Sequence, residues 1–426
     1  MGSVAIAFLG PHALASQSSN PPPSTVQSSP VAEQIHNGIR HYQLSQFAEA
    51  IAQWTHILES PSIQAADAHQ ALVWNYLALA YYQLGQWDQA DVAIVNGEQI
   101  IADLDRTINP TQYAALHAKI LTTHGQLQWA RGATDAAIAS WQQAFLNYEA
   151  LGDQEGMIAV QLNQAKALRA QGLNHQSLVI LEVVQEQLEA STPSSAHLSS
   201  SSPSSSAQSL LSPWQVSLFQ ELGTTLRQLG YLERSQSVLK KSIALSPVGN
   251  SQSAALLSLG NTQWTLSTQL ASIGETEQSA VYLQQAIDSY ASVEKESDSP
   301  LLTLQAQINQ FRIGLEQQDL AEVSRWPELV TQVETLPSNR ATIFARLNLG
   351  SSLMCLTLPG HNAIALGYPC SGDSTLTVRL PLDQAPSLKT IAQFTADTVA
   401  MAETLKDPLA ESYALGNMGT VYELSQ

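Results

Sequence analysis

Large apolar residues recur in this chain at the spacing of amphipathic helices. In one stretch Trp74, Leu77 and Tyr81 follow one another after three and four residues, which puts them on one face of a helix. Gly85 comes next and can adopt the left-handed conformation that often ends a helix. Ala90 is small and falls where a following helix would approach the first one closely. The pattern predicts two antiparallel helices, which we call helix A and helix B.

This helix pair recurs along the chain. A small residue or valine marks the same position of helix B in seven copies, at intervals of about 40 to 47 residues apart from one longer interval. We expect the sixth copy to be stretched at its turn, and Pro327 to break or shorten helix B of the seventh. These features predict an all-α fold, a right-handed superhelix (α-solenoid) of antiparallel helix pairs. The markers are Ala50, Ala90, Ala137, Ser177, Ser235, Ser279 and Val323.

Composition divides the repeats into two groups. Residues 31–190 hold four predicted repeats, and residues 213–424 hold the others. The stretch between them, residues 191–212, is rich in serine and proline and can bury little apolar surface. It is therefore predicted to be a flexible loop, and it accounts for the one long interval between markers.

Two features interrupt the pattern in the second group. Residues 357–386 are inserted between the two helices of the eighth unit and include a strand-like run at 376–380, so we expect a small hairpin or a loose segment. Residues 407–424 have the pattern of a helix A without its helix B. Because solenoids normally end in a polar cap, we expect this polypeptide to be a piece of a longer one. The apolar positions of that helix are Leu415, Met418, Gly419 and Tyr422.

The first residues bear on the compartment. Residues 1–15 contain a short apolar run and an A-x-A sequence typical of a signal-peptide cleavage site, although no Lys or Arg precedes the run. Residues 16–30 are rich in Ser, Gln and Pro and are predicted to be a disordered leader. We expect export to the periplasm, with a cytoplasmic protein as the alternative. Export would allow Cys355 and Cys370 to form a disulfide, although their spacing does not show whether the geometry suits one, and in the cytoplasm they would stay free thiols.

Charge narrows the range of partners. The chain has 18 basic and 36 acidic residues, a net charge of −18, and its Lys and Arg residues are not clustered. Nucleic-acid binding needs clustered positive charge that displaces counterions from phosphates, so no nucleic-acid partner is expected. No stretch approaches the about 18 apolar residues of a membrane span.

Several segments resemble known repeat sequences. The long period, the connector at residues 151–153 and the segment at 161–165 resemble kinesin-light-chain-like arrays of tetratricopeptide repeats (TPR). The likeness to TPR sequences covers roughly residues 31–424. Within it, a closer likeness is to the TPR regions of cyanobacterial CHAT-domain proteins, carried by residues 214–242, 256–261, 306–309 and 408–416.

The CHAT resemblance implies a function. In that family a signal-like leader often precedes the repeats and a caspase-like peptidase domain follows them. The resemblance therefore implies that this chain is the recognition or regulatory arm of such a protein. No segment matches the peptidase motifs, so no catalytic residue can be assigned.

The concave face of a TPR array, formed by the A helices, predicts the binding residues. An Asn side chain offers a donor and an acceptor, which suits the backbone of an extended peptide, and kinesin-light-chain-like arrays are similar in using Asn at this position. The other interpretation is that these residues cap or bridge neighbouring helices. Basic residues in the same groove would favour an acidic ligand, or would be solvated surface charges. The candidates are Asn163, Asn309, Asn348 and Asn417 at position 6 of helix A, with Lys166, Arg169 and Arg227 nearby.

Two tryptophans, Trp129 and Trp264, are further candidates for stacking on a ligand. Catalytic patterns are weak. His361 and Cys370 share the insertion without caspase-like spacing, and His117 and His124 have no acidic residue between them to complete a metal site.

The sequence therefore predicts a protein–protein interaction module that binds an extended peptide or partner protein in its concave groove. We expect no enzyme activity, cofactor, metal or small-molecule substrate. The alternative is an exported scaffold that organises an envelope assembly, and an enzyme within the insertion is a distant third.

Overall fold

The computed structural model describes residues 30–44, 46–60, 68–104, 109–191, 213–356 and 385–425. Almost all of these residues are helical, and none of them is in a strand. The predictions for the signal peptide, for the leader up to residue 29, for nearly all of the 191–212 loop and for the insertion up to residue 384 lie outside the described residues.

The chain divides into two compact units, one ending at Leu218 and the other beginning at Phe219. Helices of the first unit alternate between type A and type B in four pairs. In chain order they are α1 (Pro30–Gln43), α2 (Phe47–Glu59), α3 (Ala68–Gln83), α4 (Trp87–Leu104), α5 (Pro110–Ala130), α6 (Thr134–Leu151), α7 (Gln154–Ala170) and α8 (Asn174–Ser191).

The second unit continues the alternation, and its first helix begins just before the division between the units. Its helices are α9 (Pro213–Gln228), α10 (Leu232–Leu245), α11 (Asn250–Ser272), α12 (Thr276–Glu296), α13 (Pro300–Gln317), α14 (Leu320–Val323), α15 (Trp326–Glu334), α16 (Arg340–Cys355), α17 (Leu388–Thr404) and α18 (Pro408–Leu424). The predicted all-α fold of antiparallel helix pairs is confirmed.

Close packing within a pair depends on a glycine opposite a large side chain. Trp54 and Trp141, both on helix B, are fully buried. Each donates its indole N–H to a backbone carbonyl on helix A of the same pair, Trp54 to Ile35 O at 3.3 Å and Trp141 to Thr122 O at 3.1 Å. Gly38 and Gly125 face these rings, and a Cβ at either position would overlap the indole. The small positions in helix A and the aromatic positions in helix B therefore fit together as the sequence predicts.

The turns follow the prediction in most pairs. Gly85, Gly132, Gly172 and Gly230 all have a φ between 69° and 82°, the left-handed conformation that glycine adopts without a steric cost. The small residues that mark helix B are buried from Ala50 to Val323.

The sixth copy departs from the prediction. Its turn is as tight as the others, with Gly274 at a φ of 86°. The additional residues lie in the helices, because α11 has 23 residues and α12 has 21. The prediction of a stretched turn was wrong, since a periodic pattern alone does not show whether extra residues lengthen a loop or add turns of helix.

Helix B of the seventh copy is broken, as the proline predicts. It consists of α14 and α15, and Pro327 occupies the first turn of α15, where its missing N–H costs no helical hydrogen bond.

The A helices form a layer within each unit. Each contacts the A helix of the next pair, in the series α1, α3, α5 and α7 and in the series α11, α13, α16 and α18. Some residues of this layer are not buried between helices. They form the surface that the sequence predicts to contact a ligand.

Two further findings concern membranes and cysteine. None of the described helices is long and apolar enough to cross a membrane. Cys355 is disulfide-bonded, and Cys370 lies outside the described residues.

Candidate functional site

A cluster of polar and aromatic side chains lies on two adjacent A helices of the second unit. Asn261 and Trp264 are three residues apart on α11, and Asn309, Arg312 and Glu316 share one face of α13. The two helices contact each other, so the five side chains meet.

Hydrogen bonds fix the amide groups of this cluster. Asn261 Oδ1 accepts two of them, from Tyr290 Oη at 2.8 Å and from Asn309 Nδ2 at 2.9 Å. Tyr290 comes from α12 and is fully buried beneath the two A helices. The Asn261 side chain is half-exposed. Because its oxygen already accepts two hydrogen bonds from the protein, its Nδ2 group is the part that can donate to a ligand.

Trp264 links the charged residues of the cluster. Its indole N–H donates to Glu316 Oε2 at 2.9 Å, and the guanidinium of Arg312 lies over its ring, 4.9 Å from the ring centroid. This is the geometry of a cation–π contact, and it holds the Arg312 side chain in place on the layer of A helices.

Burial changes the electrostatics of these groups. It raises the pKa of Glu316, although that side chain keeps solvent contact, while the hydrogen bond from Trp264 and the charge of Arg312 act in the opposite direction. Burial also lowers the pKa of Arg312, against the effect of Glu316. Both shifts express the cost of holding a charge partly out of water.

Arg227 extends the cluster toward α9. Burial raises the pKa of Tyr290 above its ordinary value, and the positive charges of Arg227 and Arg312 act in the opposite direction. The two arginines therefore approach one buried phenol from different helices. Arg227 itself is half-exposed, so its positive charge is accessible from the surface of the layer.

Of the residues predicted from sequence, Asn309 belongs to this cluster, and Arg227 is near enough for its charge to lower the pKa of Tyr290. Sequence reasoning also named Trp264 but missed Asn261, Arg312 and Glu316. A signal for α13 was present, because Asn309, Arg312 and Glu316 recur at helical spacing. Asn261 occupies the position equivalent to that of Lys166 in the fourth pair, but the predicted Asn residues are all at position 6.

The other predicted residues are not members of this cluster. Asn163, Lys166 and Arg169 are in the first unit, on α7, and are 5%, 5% and 7% exposed. Asn163 Nδ2 is buried without a hydrogen-bond partner. At this exposure the three side chains could contact a ligand only after a rearrangement, and their binding role stays a prediction.

Asn348 and Asn417 lie on α16 and α18. Asn348 is half-exposed. Asn417 Nδ2 donates to Leu347 O at 3.2 Å and to Ser351 Oγ at 3.3 Å, so it bridges two A helices. Asn309 likewise bridges two A helices, through its hydrogen bond to Asn261. Both side chains therefore have a structural role even when no ligand is bound. Their peptide-binding role is untested.

Among the described residues, no group of three or more His, Cys, Asp and Glu side chains could hold a metal ion. His124 Nδ1 lies 2.6 Å from Glu98 Oε1, a carboxylate from another helix that the spacing along the sequence could not reveal. His361 and the remainder of the insertion lie outside the described residues.

Comparisons with known proteins give matches to solved structures at low sequence identity. No family model matches the chain, and no curated protein matches it significantly. Kinesin light chain TPR-like repeats from Podosopora anserina are 18% identical, cover 56% of this chain and 97% of their own, and have a TM-score of 0.37. The apo form of the quorum sensor NprR from B. thuringiensis is 8% identical, with coverage of 93% and 87% and a TM-score of 0.45.

A Rap protein complexed with competence and sporulation factor is 10% identical, covers 93% of this chain and 98% of its own, and has a TM-score of 0.41. At such low TM-scores none of these proteins' ligands can be transferred to this chain, and none of the matches bears on the CHAT resemblance.

Proposed function

We propose that this protein is a binding module that holds an extended peptide segment of a partner protein on the A helices of its second unit. The observation that carries the proposal is the cluster of Asn261, Trp264 and Arg312, in which an amide donor, an indole face and a guanidinium are held together by contacts between two repeats.

Each group suits a different part of a peptide. The Nδ2 donor of Asn261 can bind a backbone carbonyl, because such a contact does not depend on the peptide's sequence. The half-exposed Trp264 offers an amphipathic surface for an apolar side chain. Arg312 and Arg227 favour an acidic residue or a terminal carboxylate, since a guanidinium binds carboxylates in a bidentate geometry.

The overall charge makes this preference selective. The chain carries a net charge of −18, so most of its surface repels an acidic peptide. The positive charge of Arg312 at Trp264, together with that of Arg227 on α9, would attract the acidic segment to this site and disfavour binding elsewhere. The preferred ligand is therefore an extended segment with an acidic residue beside an apolar one.

Binding to arrays of peptides that differ in charge tests the proposal. Arrayed extended heptapeptides, acidic, neutral or basic around a central apolar residue, are incubated with the protein and with its Trp264→Ala and Arg312→Gln variants. We expect acidic peptides to bind best and both variants to lose at least about tenfold in affinity, the usual effect of losing an anchor residue. Arg234→Gln, an exposed change of the same charge on α10, serves as the control.

Equal binding of basic and acidic peptides, or equal loss in the Arg234→Gln control, would contradict the proposal. Circular dichroism of each variant checks that its helices are intact.

On the resemblance to CHAT-domain proteins, we propose further that the module serves as the recognition arm of a caspase-like protein. The gene sequence beyond the codon for Gln426 tests this part separately. A peptidase domain in the same reading frame would support it, and an immediate stop codon would favour the exported scaffold instead.

A further inference from the structure

Glu316 places a carboxylate of the protein among the side chains that would bind an acidic ligand. Its Oε2 accepts a hydrogen bond from the indole N–H of Trp264 on the neighbouring helix α11, at 2.9 Å. The guanidinium of Arg312 lies over the same indole, 4.9 Å from the ring centroid. A negative charge therefore already lies beside the cation that would attract the ligand.

Glu316 interacts electrostatically with Arg312 and with Tyr290. Burial raises the pKa of Glu316, whereas the hydrogen bond from Trp264 and the charge of Arg312 lower it. Burial also raises the pKa of Tyr290 from α12, and the charge of Glu316 adds to that rise. The Glu316 side chain is exposed, so it can exchange a proton with water, and its charge can respond to pH and to a ligand.

Charged groups on the other helices that pack against α13 have other partners. Glu294 of α12 accepts a hydrogen bond from a glutamine of α13 at 2.9 Å, and Glu322 of α14 pairs with Arg325 at 2.8 Å. The charge of Glu334 on α15 acts on Arg346 of α16. Helix α11 has no charged residue in its sequence. The cation and the carboxylate at the indole therefore dominate the local charge.

We propose that Glu316 is the residue that sets the charge selectivity of the peptide site. Its ionised carboxylate competes with an acidic ligand for Arg312, and the ligand binds tightly when Glu316 takes up a proton from solvent. Two carboxylates near one guanidinium repel each other, so a bound acidic residue favours the protonated form of Glu316. The protonated carboxyl group still accepts the hydrogen bond from the indole. This inference rests on the proposed function and concerns the same site.

The direction of the pH dependence follows from this competition. In the complex with an acidic peptide the pKa of Glu316 is higher than in the free protein, because the ligand adds a second negative charge. Affinity for that peptide therefore begins to rise when the pH falls below the bound value, and it levels off below the free value. Each unit of difference between the two pKa values corresponds to a factor of about ten in affinity.

Two heptapeptides with a central leucine and blocked ends serve as probes for the full chain. One carries cysteic acid beside the leucine, a sulfonate that stays ionised throughout the experiment, and the other carries alanine there. Binding of each labelled peptide is followed by fluorescence anisotropy between about pH 7.5 and about pH 5. We expect affinity for the sulfonate peptide to rise about three- to tenfold as the pH falls, and affinity for the alanine peptide to change little.

Glu316→Gln isolates the effect of the charge, because glutamine keeps an acceptor for the Trp264 N–H. At about pH 7.5 this variant should bind the sulfonate peptide about three- to tenfold more tightly than the unchanged protein, and its affinity should no longer depend on pH. Glu403→Gln removes an exposed negative charge from α17 and is the control, with affinity and pH dependence unchanged. Circular dichroism checks that both variants keep their helices.

The outcomes separate this inference from the proposed function. Tighter binding by Glu316→Gln that does not depend on pH supports the inference. Binding of the sulfonate peptide that is independent of pH in the unchanged protein, or that keeps its pH dependence in Glu316→Gln, overturns it and leaves the peptide site in place. Weaker binding by Glu316→Gln also overturns it, because Glu316 would then only position Trp264 and Arg312. If neither peptide binds the protein or its variant, the proposed function fails, and this inference fails with it.

Discussion

Gln318 lies in the turn of the seventh helix pair and has a left-handed backbone conformation, which glycine adopts in the equivalent turn of other pairs. Its φ is 59°, whereas Gly172 at the equivalent turn has a φ of 80°. The hydrogen bonds agree, since Asp319 N donates to Gly314 O and Leu173 N donates to Leu168 O, both at 2.9 Å and both five residues back. A residue with a Cβ pays a steric cost in this region of backbone space.

Exchanging the two residues tests that cost. Gln318→Gly should stabilise the seventh pair by up to about 1 kcal/mol, and Gly172→Gln should destabilise the fourth by about 1 to 2 kcal/mol. Nothing lies within 4 Å of a Cβ at Gly172, so the effect there comes from the backbone alone. Hydrogen exchange of the neighbouring helix amides measures both changes locally. Shifts of the same sign in both variants would contradict this explanation.

Individual residues also show how far the site was predictable. The turn glycines and the buried Trp54 follow from the repeat, because a periodic pattern fixes position within a pair. Asn261 was missed because its contact with Asn309 joins different repeats, 48 residues apart. Such contacts depend on how successive A helices are superposed, which the period of the sequence alone does not show.

Within each helix pair, a small residue in helix A is matched by a larger residue in helix B. Different pairs use different combinations of the two residues. The third pair combines Gly125 with Trp141, and in the fourth pair Ala165 and Leu181 occupy the positions with the same spacing and are both buried. An alanine in helix A is thus accommodated together with a leucine in the fourth pair, whereas a Cβ at Gly125 would overlap Trp141 and a Cβ at Gly223 would overlap Leu239 in the fifth.

A double-mutant cycle tests this complementarity. Gly125→Ala should destabilise the protein by about 1 to 3 kcal/mol, because its methyl group overlaps the Trp141 ring. Trp141→Leu alone should leave a cavity and also destabilise. The double variant recreates the fourth pair, so its loss in free energy of unfolding in urea should be clearly smaller than the sum of the single losses. Simple additivity would show that the two positions do not share one space.

For the whole molecule, the sequence period predicts the all-α architecture, whereas the division of the repeats into two groups is predicted from composition. The first unit has a hydrophobic core that extends from Ile35 to Leu127, and the second has separate clusters around Phe311 and Tyr290. The division falls at Leu218, within α9 and close to the Ser/Pro-rich stretch. A repeat pattern describes contacts between neighbouring helices, so it does not by itself reveal where the chain divides into units.

Buried tyrosines in both units predict how the molecule responds to alkaline pH. Burial raises the pKa of Tyr42 to about 12 and that of Tyr148 to about 12, and it raises the pKa values of Tyr76 and Tyr290 as well. Above about pH 10 the unfolded chain releases phenolic protons that the folded protein still holds. The free energy of unfolding should therefore be unaffected below that pH and fall as the pH rises toward about 12.

Each buried phenol adds about 1.4 kcal/mol per pH unit to that fall, and new phenolates add to a net charge that is already −18. Loss of helical circular dichroism should then accompany the appearance of phenolate absorbance. Tyr42→Phe removes one such proton and should make the pH dependence shallower, whereas the exposed Tyr231→Phe should leave it unchanged. If all phenolates form while the helices persist, burial does not control these groups, and the packing of Tyr42 against Trp54 must be looser than the ring separation of 6.2 Å indicates.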